Sequence, residues 1–305
     1  MSQSLNAHVV LHKLALALPK KHHSNIIIVG SLSAAAQLIQ DVDTELRTKD
    51  IDGMLTPNAT AVISAKEIAT TLINEGWEPR VNTEKYDHPA DGATPQNKLP
   101  VVRLKPPGQG KDEWFLELLG APPTLAPDAD GKTRYSERVE TPNSHFEIPS
   151  FAYMGVTQFK PVRHASGLHL ASIATMALSN LLHHPQIEEK RMSDPIEGRL
   201  IKRANKDLGR VVAMAHLSDQ LDETAVEHWP HIWLQAMQEL KAPESTRAKL
   251  ETINTGMQAL LDSYEDQLEA LHSVNYGLLS SRPMDMRQLN IAIRRYLQLT
   301  KARPD

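Results

Sequence analysis

The chain contains no cysteine among its 305 residues. This absence excludes disulfide bonds, thiolate zinc sites and cysteine nucleophiles, and it fits a reducing compartment. No apolar run approaches the roughly 20 residues that a transmembrane helix needs. The basic residues near the N-terminus follow the apolar stretch rather than precede it, which is typical of an amphipathic helix and not of a signal peptide. We therefore expect a cytoplasmic protein with no membrane partner.

An excess of positive charge is also missing, because the net charge is −4. Residues 1–155 carry 15 Lys and Arg against 19 Asp and Glu, and the remainder carries 18 of each. Any contact with nucleic acid must therefore depend on a local patch. The sequence also has no Walker-type loop, no GxGxxG and no GxSxG, so the usual signatures of P-loop, dinucleotide and hydrolase sites are absent.

The first part of the chain alternates between helix and strand patterns. Hydrophobic periodicity predicts, in order, a helix over 5–18, a buried strand over 26–29, a helix over 32–39 and a strand over 49–55. Ser64, followed three residues later by Glu67, has the spacing of a capping box. It predicts a helix that begins there and ends near residue 75, with Gly76 as its C-cap.

A proline-rich region follows, since 11 of the 20 prolines lie between Pro79 and Pro149. Two strand-like runs, 99–105 and 113–120, are separated by the turn-forming sequence PPGQGKD, which predicts a hairpin. We expect residues 121–150 to form an irregular excursion or lid.

From about residue 165 the pattern is helical. The predicted helices are 165–182, 196–218, 231–241, 246–272 and 285–300. The predicted fold class is therefore α+β (mixed α/β), with a domain built on a mixed sheet over 1–160 and an all-helical domain over 161–305.

The strand over 49–55 contains two aspartates, Asp50 and Asp52, separated by Ile51. Residues two apart in a strand point to the same face, so the two carboxylates project together while Ile51 points into the core. Such a pair raises the pKa of each member or recruits a cation. Oxygen ligands favour Mg²⁺ or Mn²⁺.

The pair Gly30-Ser31 follows the first buried strand and opens a helix. Glycine lets the backbone approach a ligand closely, and the free N–H groups of a helix start attract phosphate. The hydroxyl of Ser31 can donate to a phosphate oxygen. With Asp50 and Asp52 nearby, this arrangement predicts a site for a nucleoside triphosphate (NTP) and its metal.

On these residues the chain resembles the nucleotidyltransferase superfamily with the DNA polymerase β-type fold, and within it the AbiEii-like nucleotidyltransferases of bacterial toxin–antitoxin systems. The resemblance adds a third strand carboxylate, which Glu117 in FLELL fits and Asp112 and Glu113 fit less well. The segment RANKDLGRVVAMAHL resembles the Lys-Asp helix of the family.

This resemblance implies an enzyme that moves a nucleoside monophosphate from an NTP to an acceptor hydroxyl. It implies that Asp50, Asp52 and Glu117 are catalytic and hold Mg²⁺ or Mn²⁺, and that Gly30 and Ser31 contact the phosphates. It also implies an RNA acceptor, most plausibly tRNA, and a cognate antitoxin protein as a partner.

The sequence departs from the family in one helix. Family members usually have a lysine and an arginine on the helix that opens the second half, whereas HASGLHLASIATMALSNLL has neither. Four cations on the next predicted helix, at helical spacing, form the basic stripe: Arg199, Arg203, Lys206 and Arg210. The stripe either binds phosphate in place of the missing lysine or is an ordinary solvated face.

Two further alternatives remain open at this point. In the first, the chain keeps the fold as a non-catalytic protein that binds a nucleotide or a partner, which the missing lysine favours. In the second, the acceptor is a protein. The adjacent pairs His22-His23 and His183-His184 point apart in regular structure, and we expect them at helix ends and turns rather than in a metal site.

Overall fold

The structure is a computed structural model, and it describes residues 6–40, 50–108 and 114–301. The strands in these ranges are β1 (Ile26–Val29), β2 (Asp50–Leu55), β3 (Glu78–Pro79), β4 (Arg103–Lys105), β5 (Phe115–Gly120), β6 (Arg134–Glu140), β7 (His145–Phe151), β8 (Val162–Arg163) and β9 (His169–Leu170). The α-helices are α1 (Ala7–Ala17), α2 (Gly30–Leu38), α3 (Asn58–Asn74), α4 (Ile173–His183), α5 (Arg203–Leu221), α6 (Trp229–Glu239), α7 (Glu244–Arg247), α8 (Thr255–Asp262), α9 (Tyr264–Asn275) and α10 (Met286–Leu299).

Most of the strands form one mixed sheet in the order β3-β4-β5-β2-β1-β9-β8, and β6 pairs with β7 in a separate two-stranded sheet. β1 runs antiparallel to β2, whereas β2 runs parallel to β5. The carboxyl end of β1 therefore lies beside the amino ends of β2 and β5. The candidate functional residues collect at this edge of the sheet.

The centre of the sheet is formed by β1 and β2. All four residues of β1 are buried, and Ile26 and Ile28 are completely inaccessible to solvent. Such a short β-branched run fits a strand that is covered on both faces. α2 and α3 pack against the sheet and bury it from water.

The second half of the described chain is organised around α5, which packs against α4, α9 and α10 and also touches α2. Its buried face includes Ala204, Leu208, Val211 and Ala215. This apolar stripe has the spacing of a helix that packs on one side. Because α5 contacts α2, part of α5 is held near the point where β1 ends.

The mixed sheet, followed by a helical second half, confirms the predicted fold class. The predicted hairpin is confirmed as well, since β4 and β5 pair antiparallel. The sheet continues beyond residue 160 through β8 and β9, and the division into domains at 160 and 161 stays a prediction. In the part of the chain that the structure describes, no helix is both long and apolar enough to cross a membrane.

The predicted capping box is wrong. α3 begins at Asn58, directly after Pro57, and Ser64 is buried inside the helix. The carboxylate of Glu67 forms an ion pair with Lys21 and a hydrogen bond with His22 instead. Pro57 occupies the N-cap position, where the N–H that proline lacks would take no part in the helical hydrogen bonds, so the earlier start is tolerated. The end of the helix is as predicted, because Gly76 has a φ of +88° just after it.

Two other predictions about secondary structure are wrong. Residues 121–150 are not irregular throughout, because β6 pairs in register with β7 from Arg134 to Glu140. The predicted helix over 246–272 is divided into α7, α8 and α9. A new start is favoured at Ser263, whose side chain accepts a hydrogen bond from the backbone N–H of Asp266 and caps α9.

Candidate active site

Strand register brings the predicted carboxylates together. Asp52 on β2 is paired with Val29 at the end of β1 and with Glu117 on β5. Ile51 is 1% exposed and points into the core, while Asp50 and Asp52 line the same cavities on the opposite face. Three carboxylates from two adjacent strands therefore lie at one edge of the sheet. The alternative candidates Asp112 and Glu113 lie outside the described residues.

Gly30, directly after β1, lies next to Asp52 and forms one side of this site. Its φ is +75°, and a Cβ atom built on it would lie 2.7 Å from Oδ2 of Asp52. A side chain would thus be strained and would collide with the carboxylate. α2 begins at Gly30, so its unpaired backbone N–H groups start next to Asp52. Ser31 lines the smaller of the two cavities described below.

The site holds more negative charge than its surroundings compensate. Burial raises the pKa of Asp52 well above its usual value, and the carboxylates of Asp50 and Glu117 raise that pKa further. The cations of Arg210 and Lys206 oppose this shift without cancelling it. A carboxylate in this state favours either a proton or a metal ion.

Glu117 has a partner that the sequence did not reveal. It lies opposite Arg103 in the β4–β5 pairing, and Nε–H of Arg103 donates to Oε2 of Glu117 across 2.6 Å. The side chain of Glu117 is 14% exposed and that of Arg103 is 43% exposed, so only the carboxylate of the pair is largely shielded from solvent. The predicted hairpin included both strands but not their register, so it did not place Arg103 opposite Glu117.

The structure places only three of the four cations of the basic stripe on one helix. α5 begins at Arg203 and not at residue 196, so Arg199 lies before the helix, in a turn where its backbone pairs with Ile196. Arg203 lines the larger cavity, and Lys206 and Arg210 line both cavities. The turn forms there because Gly198, with a φ of +79°, permits the reversal.

Lys206 and Arg210 are half-buried and face the carboxylates rather than bulk solvent. Burial lowers the pKa of Lys206, and the neighbouring Arg210 lowers it further. The solvated-face interpretation therefore does not describe these two residues. They bring positive charge to the carboxylates on the strands.

Two cavities meet at the carboxylates. The larger has a volume of about 580 Å³ and the smaller about 170 Å³, and both are lined by Asp50, Asp52, Lys206 and Arg210. The larger cavity also reaches Gly30, Glu117 and Arg103. The smaller extends toward Tyr276, in a part of the chain for which the sequence predicts no role.

His183 and His184 also line the larger cavity, at the end of α4 as expected. Nε2 of His184 lies 2.9 Å from Oδ2 of Asp207. Burial acts to raise the pKa of Asp207, but the hydrogen bond from His184 and the charge of Arg210 lower it below its usual value. Burial lowers the pKa of His183 to about 4, so that ring is neutral at physiological pH.

The residues at this edge of the sheet meet some, but not all, of the requirements of a divalent-cation site. Asp50 and Asp52 supply hard oxygen ligands in a desolvated site with excess negative charge. Within residues 6–40, 50–108 and 114–301, however, no three histidine or carboxylate side chains are arranged to hold a metal ion. One oxygen of Glu117 is engaged by Arg103. Glu117 as a third ligand stays a prediction.

No family model matches the chain, and no curated protein matches it either. Among solved structures, the chain is similar to an antigenic nucleotidyltransferase-like protein from Paracoccidioides brasiliensis, with 12% sequence identity and a TM-score of 0.34. The match covers 82% of this chain and 93% of that chain. A likeness at this level assigns no activity, so the function has to be argued from the site.

Proposed function

We propose that this protein is a metal-dependent nucleotidyltransferase. It would transfer a nucleoside monophosphate from an NTP to an acceptor hydroxyl and release pyrophosphate. The observation that carries the proposal is the placement of Asp52 between Asp50 and Glu117, opposite the cations Lys206 and Arg210. Carboxylates for a metal and cations for a triphosphate are the two requirements of this chemistry.

Each residue has a distinct role in the proposed reaction. Asp50 and Asp52 would hold Mg²⁺ or Mn²⁺, which would supply positive charge to the reacting phosphate. Gly30 and Ser31 contact the β- and γ-phosphates through the amino end of α2. Lys206 and Arg210 grip the triphosphate in place of the lysine that α4 lacks. Glu117 acts on the acceptor side and assists its deprotonation.

The proposal includes the acceptor and the biological setting. The acceptor is an RNA end, with tRNA as the first candidate, and the protein acts in the cytoplasm as an AbiEii-like toxin with a cognate antitoxin protein. These finer statements come from the resemblance described above. They extend beyond the geometry of the site.

A non-catalytic nucleotide-binding protein is the second candidate, and one observation favours it. Arg103 neutralises Glu117 and competes with a metal for its oxygens. Equilibrium binding of each NTP with and without Mg²⁺ separates the two candidates from a chain that binds no nucleotide. Magnesium-dependent binding without any transfer would favour the second candidate.

The direct experiment is incubation of the protein with each α-labelled NTP, Mg²⁺, and total cellular RNA or total cellular protein. Label in the RNA fraction supports the proposal with an RNA acceptor. Label in the protein fraction alone supports a transferase with a protein acceptor. The Asp50→Asn/Asp52→Asn variant serves as the control, and equal labelling by this variant would refute the catalytic assignment.

A further inference from the structure

The two cavities at the carboxylates differ in size and in what lines them. They share Asp50, Asp52, Lys206 and Arg210, so each opens onto the same centre. The larger volume, about 580 Å³, is within the usual range of roughly 300–1,000 Å³ for sites that enclose a whole small ligand. The smaller volume, about 170 Å³, is below that range and suits one part of a ligand whose remainder lies outside.

The outer wall of the smaller cavity is formed at the end of α9. Tyr276 follows the last residue of this helix and is 38% exposed, and its ring lies 4.6 Å from the ring of His272, centroid to centroid. Nε2–H of His272 donates to the carbonyl of Ile196 across 2.7 Å, which fixes the histidine ring. The ring of Tyr276 therefore packs against a histidine ring whose orientation is held by a hydrogen bond.

This surface lies in the same cavity as two cations, Lys206 and Arg210. An aromatic side chain beside basic groups is the arrangement that binds single-stranded nucleic acid, because a base stacks on the ring and the cations attract the backbone phosphates. Since the two cations also serve the NTP triphosphate, the ring is the feature that separates the two kinds of acceptor, because a hydroxyl side chain of a protein has no base to stack on it. The chemistry of the cavity therefore favours a nucleic-acid end.

We propose that the smaller cavity is the acceptor site and takes the terminal nucleotide of a single-stranded RNA, whose base stacks on Tyr276. The NTP occupies the larger cavity, and its triphosphate lies where the two cavities meet, beside Ser31. This inference rests on the proposed nucleotidyltransferase function. The terminal hydroxyl oxygen attacks the α-phosphorus, the bond from that phosphorus to the bridging oxygen of pyrophosphate breaks, and the hydroxyl proton passes to the carboxylate of Glu117. The C-terminal helices would thereby contribute to the reaction.

The test compares variants of the two cavities, with a short single-stranded RNA bearing a free 3′-hydroxyl as the acceptor. Tyr276→Ala is expected to raise the KM for RNA about tenfold, the scale of one lost base–aromatic stack, and to leave the KM for NTP unchanged. Tyr276→Phe keeps the ring and is expected to restore the wild-type value. Asn180→Ala, at a residue that lines the larger cavity, is expected to raise the KM for NTP alone.

Several outcomes would overturn the inference. An unchanged KM for RNA in folded Tyr276→Ala would show that the ring does not hold the acceptor. A raised KM for NTP in that variant would reverse the assignment of the cavities, and label on protein alone would exclude RNA. If the wild type transfers no label to any fraction, the proposed function fails, and fluorescence anisotropy with the same RNA decides this inference separately. Binding weakened about tenfold by Tyr276→Ala supports it, and unchanged binding refutes it.

Discussion

Arg103 and Glu117 lie opposite each other on neighbouring strands, and Nε of Arg103 is 2.6 Å from Oε2 of Glu117. The arginine thereby offsets one of three carboxylates that are crowded at the edge of the sheet. This ion pair stabilises the metal-free site, and in the proposed enzyme it competes with the metal for Glu117.

Replacing Arg103 with glutamine should destabilise the protein without metal and strengthen its response to Mg²⁺. Arg103 is partly exposed, so we expect the free energy of unfolding to fall by about 1–2 kcal/mol in a chelator, between the values for surface and buried pairs. Added Mg²⁺ should recover more stability than in the wild type, because Glu117 is released. Thermal unfolding with and without Mg²⁺ measures both effects.

Arg80→Gln is the matched control for this experiment. Arg80 stacks on Phe115 with 4.3 Å from its guanidinium carbon to the ring centroid, and it contacts the same strand from a position away from the cavities. Its replacement should leave the Mg²⁺ response unchanged. An equal response in the Arg103→Gln variant and the wild type would contradict the competition between arginine and metal.

Asp52→Asn should stabilise the metal-free protein at neutral pH. Because burial and two carboxylates raise the pKa of Asp52 in the folded state, the folded chain binds more protons than the unfolded chain above the ordinary value of 3.8. Stability of the wild type therefore decreases as pH rises through the raised pKa. The advantage of Asp52→Asn should be largest at pH 8 and shrink toward pH 4. Urea unfolding in a chelator at several pH values measures it, and a variant less stable than the wild type at pH 8 would contradict the charge argument.

His183 should affect stability in the opposite direction. Its pKa is lowered from 6.5 to about 4 by burial, so below pH 6.5 the unfolded chain binds a proton that the folded chain does not. The stability that a neutral His183 contributes is complete above pH 6.5 and is lost as pH falls toward 4. Between pH 7.5 and pH 5, the wild type should lose about 2 kcal/mol more than His183→Gln. Parallel urea titrations test this difference, and identical pH profiles for the two proteins would rule out a buried neutral ring.

Lys206 and Arg199 allow a direct comparison between a cation in the site and one outside it. Lys206 lines both cavities, whereas Arg199 precedes α5 and lies in an exposed turn. Lys206→Gln should weaken NTP binding about tenfold or more, because a charged hydrogen bond to phosphate is lost. Arg199→Gln should bind NTP like the wild type. Isothermal titration calorimetry with each variant gives the affinities for NTP. Equal weakening by both substitutions would show that Arg199 contributes to binding as Lys206 does, as the basic stripe predicted.

The sequence predicted the parts of the site that depend on local pattern. A β-branched run marks β1, alternation marks β2, and the spacing of Asp50 and Asp52 places both carboxylates on one face. The sequence did not show where α5 begins, because Arg199 has helical spacing from Arg203 although it lies in the turn at Gly198. It also could not show that Ser64 falls inside a helix that Pro57 had already started.

The remaining parts of the site depend on contacts between distant segments. Tyr276 reaches a cavity whose carboxylates lie more than 200 residues earlier in the chain, through the packing of α9 on α5. The pairing of Arg103 with Glu117 depends on the register of β4 and β5, which the predicted hairpin left open. That the ion pair borders the carboxylate pair follows from the parallel pairing of β2 with β5. Neither relationship leaves a signal in local periodicity.

The most direct test of the central claim is a parallel assay with α-labelled and γ-labelled NTP, in the presence of Mg²⁺ and total RNA. We predict that label from the α-position enters the acceptor and that label from the γ-position appears in pyrophosphate. The double variant Asp50→Asn/Asp52→Asn should give neither labelled acceptor nor labelled pyrophosphate. Transfer of the γ-label to the acceptor, or undiminished α-labelling by the double variant, would contradict the assignment of this site as a nucleotidyltransferase centre.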